Sequence, residues 1–161
     1  MTRVIDNYLN QEDFLRIKNT LGSSDFPWYY QKNINDSHSE KDLDCYFTHY
    51  LFNQKNGQSS FYYIIKPILN KLNVKALIRI KSNLYPRTEK LEIHKPHSDY
   101  TYKHKGAIFY INTNDGKTIL NKNKEIDSVE NRLLLFEPHL SHSSTSTTNV
   151  KSRININFNY F

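Results

Sequence analysis

The spacing of apolar positions changes character near residue 74. Before that point, "NQEDFLRIKNTLG" places Phe14, Ile17 and Leu21 at helical intervals, with acidic residues in the first turn and Gly22 beyond the end, so an amphipathic helix is expected. "SSFYYIIKPILNKLN" predicts a second helix, capped by Ser59 or Ser60 and kinked at Pro67. Between them "QKNINDSHSEKDLD" is polar and reads as a loop that leads into a short strand around "CYFTHYLF".

Beyond residue 74 the period falls to two. In "VKALIRIKSNLYP", Ala76, Ile78, Ile80 and Leu84 share one face and Arg79, Lys81, Asn83 and Tyr85 the other. "GAIFYINT" reads as a strand, and the Asp115-Gly116 pair after it predicts a tight hairpin into "TIL". "NRLLLFE" is almost wholly apolar, as a strand covered on both faces would be. The closing "SRININFNYF" sets Ile154, Ile156, Phe158 and Tyr160 against Arg153, Asn155, Asn157 and Asn159. Several short strands without intervening helices predict a mainly β fold. Residues 1–73 form a helical support, and residues 74–161 an antiparallel jelly-roll, within one domain spanning 1–161.

Composition narrows the chemistry. The 161 residues suffice for one core, and 12 Tyr and 9 Phe make that core aromatic. No stretch approaches the roughly 20 apolar residues of a membrane span, and the charged start "MTRVIDNYLNQEDF" lacks the apolar run of a signal peptide, so a cytoplasmic protein is expected. The single cysteine, Cys45, excludes an internal disulfide and a Cys-rich zinc site, which leaves His and carboxylate as metal ligands. The net charge of +6 is scattered along the chain, a mild bias toward polyanions that keeps nucleic acid among the candidate partners.

Within "HKPHSDYTYKHKGAIFYINT", His97 and Asp99 are two residues apart, so on an extended segment both side chains reach toward one ion. Imidazole with carboxylate suits a first-row divalent metal, and "HLSHSSTSTTNVKSR" supplies His139 or His142 as a third ligand. Two His and one carboxylate leave adjacent coordination positions open, as non-haem Fe(II) oxygenases require. Arg153 lies eleven positions past His142 (142 to 153) and opens the polar face of the last strand. If that face points into a barrel, its guanidinium calls for a planar anion such as a carboxylate.

"HSD", "FYIN" and "NRLLLFEPHLSHSSTSTTNVKSRININF" together resemble the 2-oxoglutarate- and Fe(II)-dependent oxygenases, particularly the small prolyl-4-hydroxylase-like members of phage and marine bacteria. The resemblance covers about residues 74–161. It implies a double-stranded β-helix of the cupin-like type, with His97, Asp99 and His142 on iron and Arg153 on the distal carboxylate of 2-oxoglutarate. His142 fits the family's spacing to the Arg better than His139 does. Tyr110 stands where prolyl hydroxylases carry a Tyr on the same carboxylate. Asn83 and Tyr85 resemble the co-substrate strand of the alkylation-repair demethylases, and Asn155 follows Arg153 as in those enzymes. Asn159 stands where they carry a second Arg. The implied cofactors are Fe(II), 2-oxoglutarate and O2, with ascorbate as an accessory reductant, and the implied reaction is hydroxylation of a peptidyl proline or similar side chain. A nucleic-acid demethylase of the same superfamily and a non-catalytic cupin-like binding module are the alternatives. With the triad filled, His94 and His104 are expected at the surface or in substrate loops, and "QKNINDSHSEKD" and "YPRTEKLEIHKP" as lids over a groove.

Overall fold

The computed structural model describes residues 2–32, 45–121 and 123–161. Among them the strands are β1 (Arg3–Ile5), β2 (Tyr29–Gln31), β3 (Tyr46–Asn53), β4 (Gly57–Gln58), β5 (Leu77–Pro86), β6 (Lys105–Tyr110), β7 (Lys117–Leu120), β8 (Lys124–Asp127), β9 (Arg132–Phe136), β10 (His142–Ser144) and β11 (Ser152–Tyr160). They form a large antiparallel sheet in the order β1-β9-β6-β11-β5-β3-β2, with β4 on β3, and a small sheet in the order β10-β7-β8. The protein is mostly β, as the period-two pattern implied. Four of the large sheet's strands come from the first 58 residues, a region read mainly as helical.

Alternation along each long strand sorts side chains onto two faces of the large sheet. One face carries Ile80, Ala107, Phe109, Leu133, Ile156 and Phe158 into a core shared with helix α1 (Gln11–Gly22) and helix α2 (Lys66–Leu72). Helix α1 buries Phe14, Ile17 and Leu21 as its spacing predicts, and the Asn10 side chain caps it by accepting from the Asp13 N–H. Gly22 is the last residue of this helix, and the Ser23 N–H bonds back to the Thr20 carbonyl. Pro67 produces no kink. A 3-10 turn over Tyr62–Ile65 precedes α2, and Pro67 falls in the first turn of α2, where its missing N–H would have had no helical partner. Of the two serines, Ser59 acts at this entry, with Oγ accepting from the Phe61 N–H at 3.0 Å.

The opposite face of the large sheet packs against the small sheet. There Ile108, Tyr110, Leu134 and Phe136 meet Leu120 and Ile126, a smaller core that closes one end of the space between the sheets. The Asp115-Gly116 hairpin does not form. Strand β6 pairs with β9 and β11, whereas β7 pairs with β8 and β10, so the segment between β6 and β7 crosses from one sheet to the other. The Asp115 carboxylate instead accepts from Thr147 Oγ1 (2.7 Å) and from the N–H and hydroxyl of Thr148. Competition from these distant donors overrides the local turn preference of Asp-Gly.

The segment "YPRTEKLEIHKP" is pinned rather than free. Arg87 and Ile93 bridge to Thr147 and Thr145, and Ser146 Oγ accepts from the Glu92 N–H at 2.9 Å. Most of "QKNINDSHSEKD" lies outside the described residues.

Candidate active site

The site-facing side of the large sheet can be read row by row from its register. Across β5 and β11, Tyr85 lies opposite Arg153, Asn83 opposite Asn155, Lys81 opposite Asn157 and Arg79 opposite Asn159. These are the two polar faces of the sequence pattern, turned inward. The first three of these pairs line a cavity of about 500 Å3, including its open mouth, between the two sheets.

At one end of the cavity the segment 97–99 meets the small sheet. The His97 and His142 backbones exchange two hydrogen bonds of 2.9 Å, and the Asp99 N–H donates to the Pro138 carbonyl at 2.9 Å. This bridge brings ligand atoms of His97, Asp99 and His142 within 4.8 Å of one another. The imidazole rings are 4.5 Å apart. His142 Nδ1 bonds the Leu140 carbonyl at 2.9 Å, so Nδ1 carries the proton and the Nε2 lone pair is free. His142 Nε2 and His97 Nδ1 are both buried without a hydrogen-bond partner in the protein. Buried, unsatisfied acceptors are costly, and a divalent cation is the group that satisfies two imidazoles and a carboxylate together. The donor set therefore fits a metal. His139 lies outside this group.

Electrostatics keep His97 and Asp99 in ligating form. Burial and the neighbouring His142 push the His97 imidazole down to about 4, the nearby Asp99 carboxylate opposing them. Burial alone would raise the Asp99 carboxyl, but Arg79, His142 and His97 outweigh it and hold it at about 2. Arg79 donates to Asp99 Oδ1 at 2.8 Å, and Asn157 Nδ2 to Oδ2 at 3.3 Å.

Arg153 lies at the far end and is fully buried. Its Nε donates to Ser128 Oγ (2.8 Å), one terminal nitrogen to Thr118 Oγ1 (3.1 Å) and the other to the Thr145 carbonyl (3.4 Å). These bonds use three of the five N–H groups of a guanidinium and leave two for another acceptor. The ring of Tyr85 lies 5.4 Å and that of Tyr110 5.9 Å from the guanidinium carbon. Among the described residues no acid pairs with Arg153, and Asp99 is the only carboxylate that they contribute to the cavity wall.

The remaining predicted residues fall around this guanidinium in different ways. The Tyr110 hydroxyl donates to Thr118 Oγ1 at 2.8 Å and so shares the Arg153 network. Asn83 and Asn155 bond each other, Nδ2 to Oδ1 at 3.0 Å, while Asn83 Oδ1 stays buried and unpaired in the wall. Tyr85 stacks between Tyr46 (5.5 Å) and His94 (5.2 Å). His94 and His104 are not surface residues. Each is only 7% exposed, His94 bonded to Ser144 Oγ (2.8 Å) and His104 to Asn159 Oδ1 (2.6 Å). Their side-chain hydrogen-bond partners lie 50 and 55 residues away, which the polar local sequence does not reveal.

Residues that the sequence did not mark also build the site. Thr118 and Ser128 position Arg153 and carry no motif. Gly116 is a further one, because a Cβ there would overlap Arg153 Cδ and come within 2.6 Å of the Ser146 carbonyl. Arg79 and Lys81 did share the polar strand face with Asn83 and Tyr85, and that shared face was the available signal.

No family model matches the sequence, and no curated protein matches it. Solved structures do match. A prolyl hydroxylase from Trichoplax adhaerens, in complex with a peptide fragment of the hypoxia inducible factor oxygen degradation domain, superposes with a TM-score of 0.69 at 14% identity. That match covers 99% of this chain and 83% of the other. A Pseudomonas putida prolyl-4-hydroxylase gives 0.64 at 11% identity, over 99% and 91%. A 2OG-Fe(II) oxygenase family oxidoreductase from Burkholderia pseudomallei gives 0.69 at 7% identity, over 99% and 84%. The chain has the fold of the 2OG-Fe(II) oxygenases. In this oxygenase fold the convergent triad and the buried guanidinium occupy one cavity, and no helix of the described residues is long and apolar enough to cross a membrane.

Proposed function

We propose that the protein is an Fe(II)- and 2-oxoglutarate-dependent oxygenase that hydroxylates a C–H bond, most simply in a peptidyl proline or similar side chain. The observation that carries this reading is one cavity with a two-His, one-carboxylate cluster at one end and an acid-free buried arginine at the other. His97, Asp99 and His142 would hold the iron, with the two sheets as the double-stranded β-helix around it. Bound iron supplies O2 activation, coupled to oxidation of 2-oxoglutarate to succinate and CO2.

The chain's own residues do the rest. Arg153 presents its two unused N–H groups to the distal carboxylate, and burial strengthens that charge-assisted pair. Tyr110, through Thr118, and Ser128 fix the guanidinium plane, Tyr85 covers its face, and Asn83 and Asn155 line the stretch of the cavity from Arg153 toward the triad. The cores on both sides would exclude water from the C–H bond that reacts. The peptide assignment follows the peptide fragment bound in the Trichoplax prolyl hydroxylase structure. A demethylase reading has less support, because Asn159 is engaged by His104 where a second cation would be needed.

The test is anaerobic addition of Fe(II) and then 2-oxoglutarate to purified protein. A visible metal-to-ligand charge-transfer band is expected, together with succinate release once air is admitted. A protein that gives neither is a binding module of the same fold, and the enzyme reading falls.

A further inference from the structure

The cavity contains a second cation that the proposed chemistry does not use. Lys81 projects from β5 into the same space as the triad and Arg153. Among the described residues it pairs with no carboxylate, and its one hydrogen bond is a long one of 3.4 Å to the Tyr46 hydroxyl. In the strand register it lies opposite Asn157, whose amide reaches Asp99, so it stands beside the metal end of the cavity. Burial and the adjacent Arg79 pull its pKa down to about 8, and a nearby anion would relieve that destabilisation of the ammonium.

Formal charges show what is missing. Fe(II) and the 2-oxoglutarate dianion cancel, and Asp99 is cancelled by Arg79. Arg153 and Lys81 remain, two positive charges in a wall whose only acid among the described residues is already matched. Unbalanced buried charge is expensive, so a neutral substrate would leave the loaded site electrostatically incomplete.

We propose that Lys81 forms an anion subsite beside the iron ligands and seats a carboxylate of the substrate close to the C–H bond that reacts. This rests on the oxygenase reading above and sharpens it, giving a peptide whose target residue is C-terminal or flanked by an acidic side chain. One ammonium with a phenol beside it matches a single carboxylate. A nucleic-acid backbone is held at several successive phosphates by several cations.

The experiment uses protein loaded with Mn(II) in place of Fe(II) and saturated with 2-oxoglutarate, with uptake of both measured first. Paramagnetic relaxation of the 19F signal is then recorded for trifluoroacetate and for neutral trifluoroethanol. Trifluoroacetate is expected to relax about tenfold more strongly than the alcohol. Lys81→Met should abolish the difference and Lys81→Arg should keep it. Acetate should displace trifluoroacetate. Equal relaxation of the two probes, or an unchanged difference in Lys81→Met, overturns the subsite. So does a Lys81→Met variant that loses 2-oxoglutarate binding, since Lys81 would then serve the co-substrate. Displacement by dimethyl phosphate but not by acetate overturns the carboxylate assignment in favour of nucleic acid. Failure of the wild-type protein to take up Mn(II) or 2-oxoglutarate is seen at the first step; it refutes the oxygenase reading and this inference with it.

Discussion

Arg79 donates to Asp99 at 2.8 Å in an ion pair whose carboxylate side chain is only 5% exposed. The pair holds one ligand of the triad before any metal arrives. Arg79→Met would leave the carboxylate buried without its counter-charge, at a cost of about 3 kcal/mol in the metal-free protein. Bound Mn(II) restores a positive neighbour. Thermal melts should therefore show a lower Tm for the variant and a larger Mn(II)-induced rise than in wild type; equal rises would mean that the guanidinium is not the carboxylate's substitute partner.

His142 and His139 are three residues apart, yet only His142 joins the cluster. Calorimetric titration with Mn(II) should find His142→Ala and His97→Ala weakened by more than the roughly 10- to 100-fold typical of losing a group that merely supports a ligand. His139→Ala should bind within a few-fold of wild type. Tight binding by His142→Ala would remove it from the metal.

Gly116 gives Arg153 its place. Gly116→Ala forces the guanidinium stem to shift, an overpacking penalty of about 1–3 kcal/mol. In terms of 2-oxoglutarate, this and Arg153→Ala should both raise the concentration needed for half-saturation by roughly tenfold or more. Metal affinity should stay close to wild type in both, since neither residue touches the triad. An unaltered co-substrate titration in Arg153→Ala would take Arg153 out of that role.

Acid should weaken the metal-free fold in a defined window. His97 takes up a proton near 6.5 when unfolded but only near 4 when folded, so the unfolded chain binds more protons as pH falls. Stability from its neutral ring is intact above 6.5 and is lost progressively toward 4. Asp99 adds a loss in the same direction below its ordinary 3.8, down to about 2. Urea midpoints of the metal-free protein should fall from pH 7 to pH 4, and His97→Gln should fall less steeply. Parallel curves for the two proteins would show that His97 does not carry the effect.

The one-dimensional pattern by itself determined a great deal. Strict alternation in β5 and β11 decided which side chains share a face, because strand geometry permits no other arrangement; helix α1 followed from its 3.6-residue spacing in the same way. His97 with Asp99, the later His142 and Arg153 were visible as types at intervals. Only the tertiary structure decided what those faces meet. Arg153 is interior because the small sheet covers it, His142 is chosen over His139 because its backbone pairs with His97, and the Asp-Gly segment crosses between sheets because Thr147 and Thr148 bind its carboxylate. His94, His104, Lys81 and Gly116 gained their surroundings from residues tens of positions away. Periodicity is a property of neighbours along the chain, whereas burial and charge balance depend on partners that folding alone brings near.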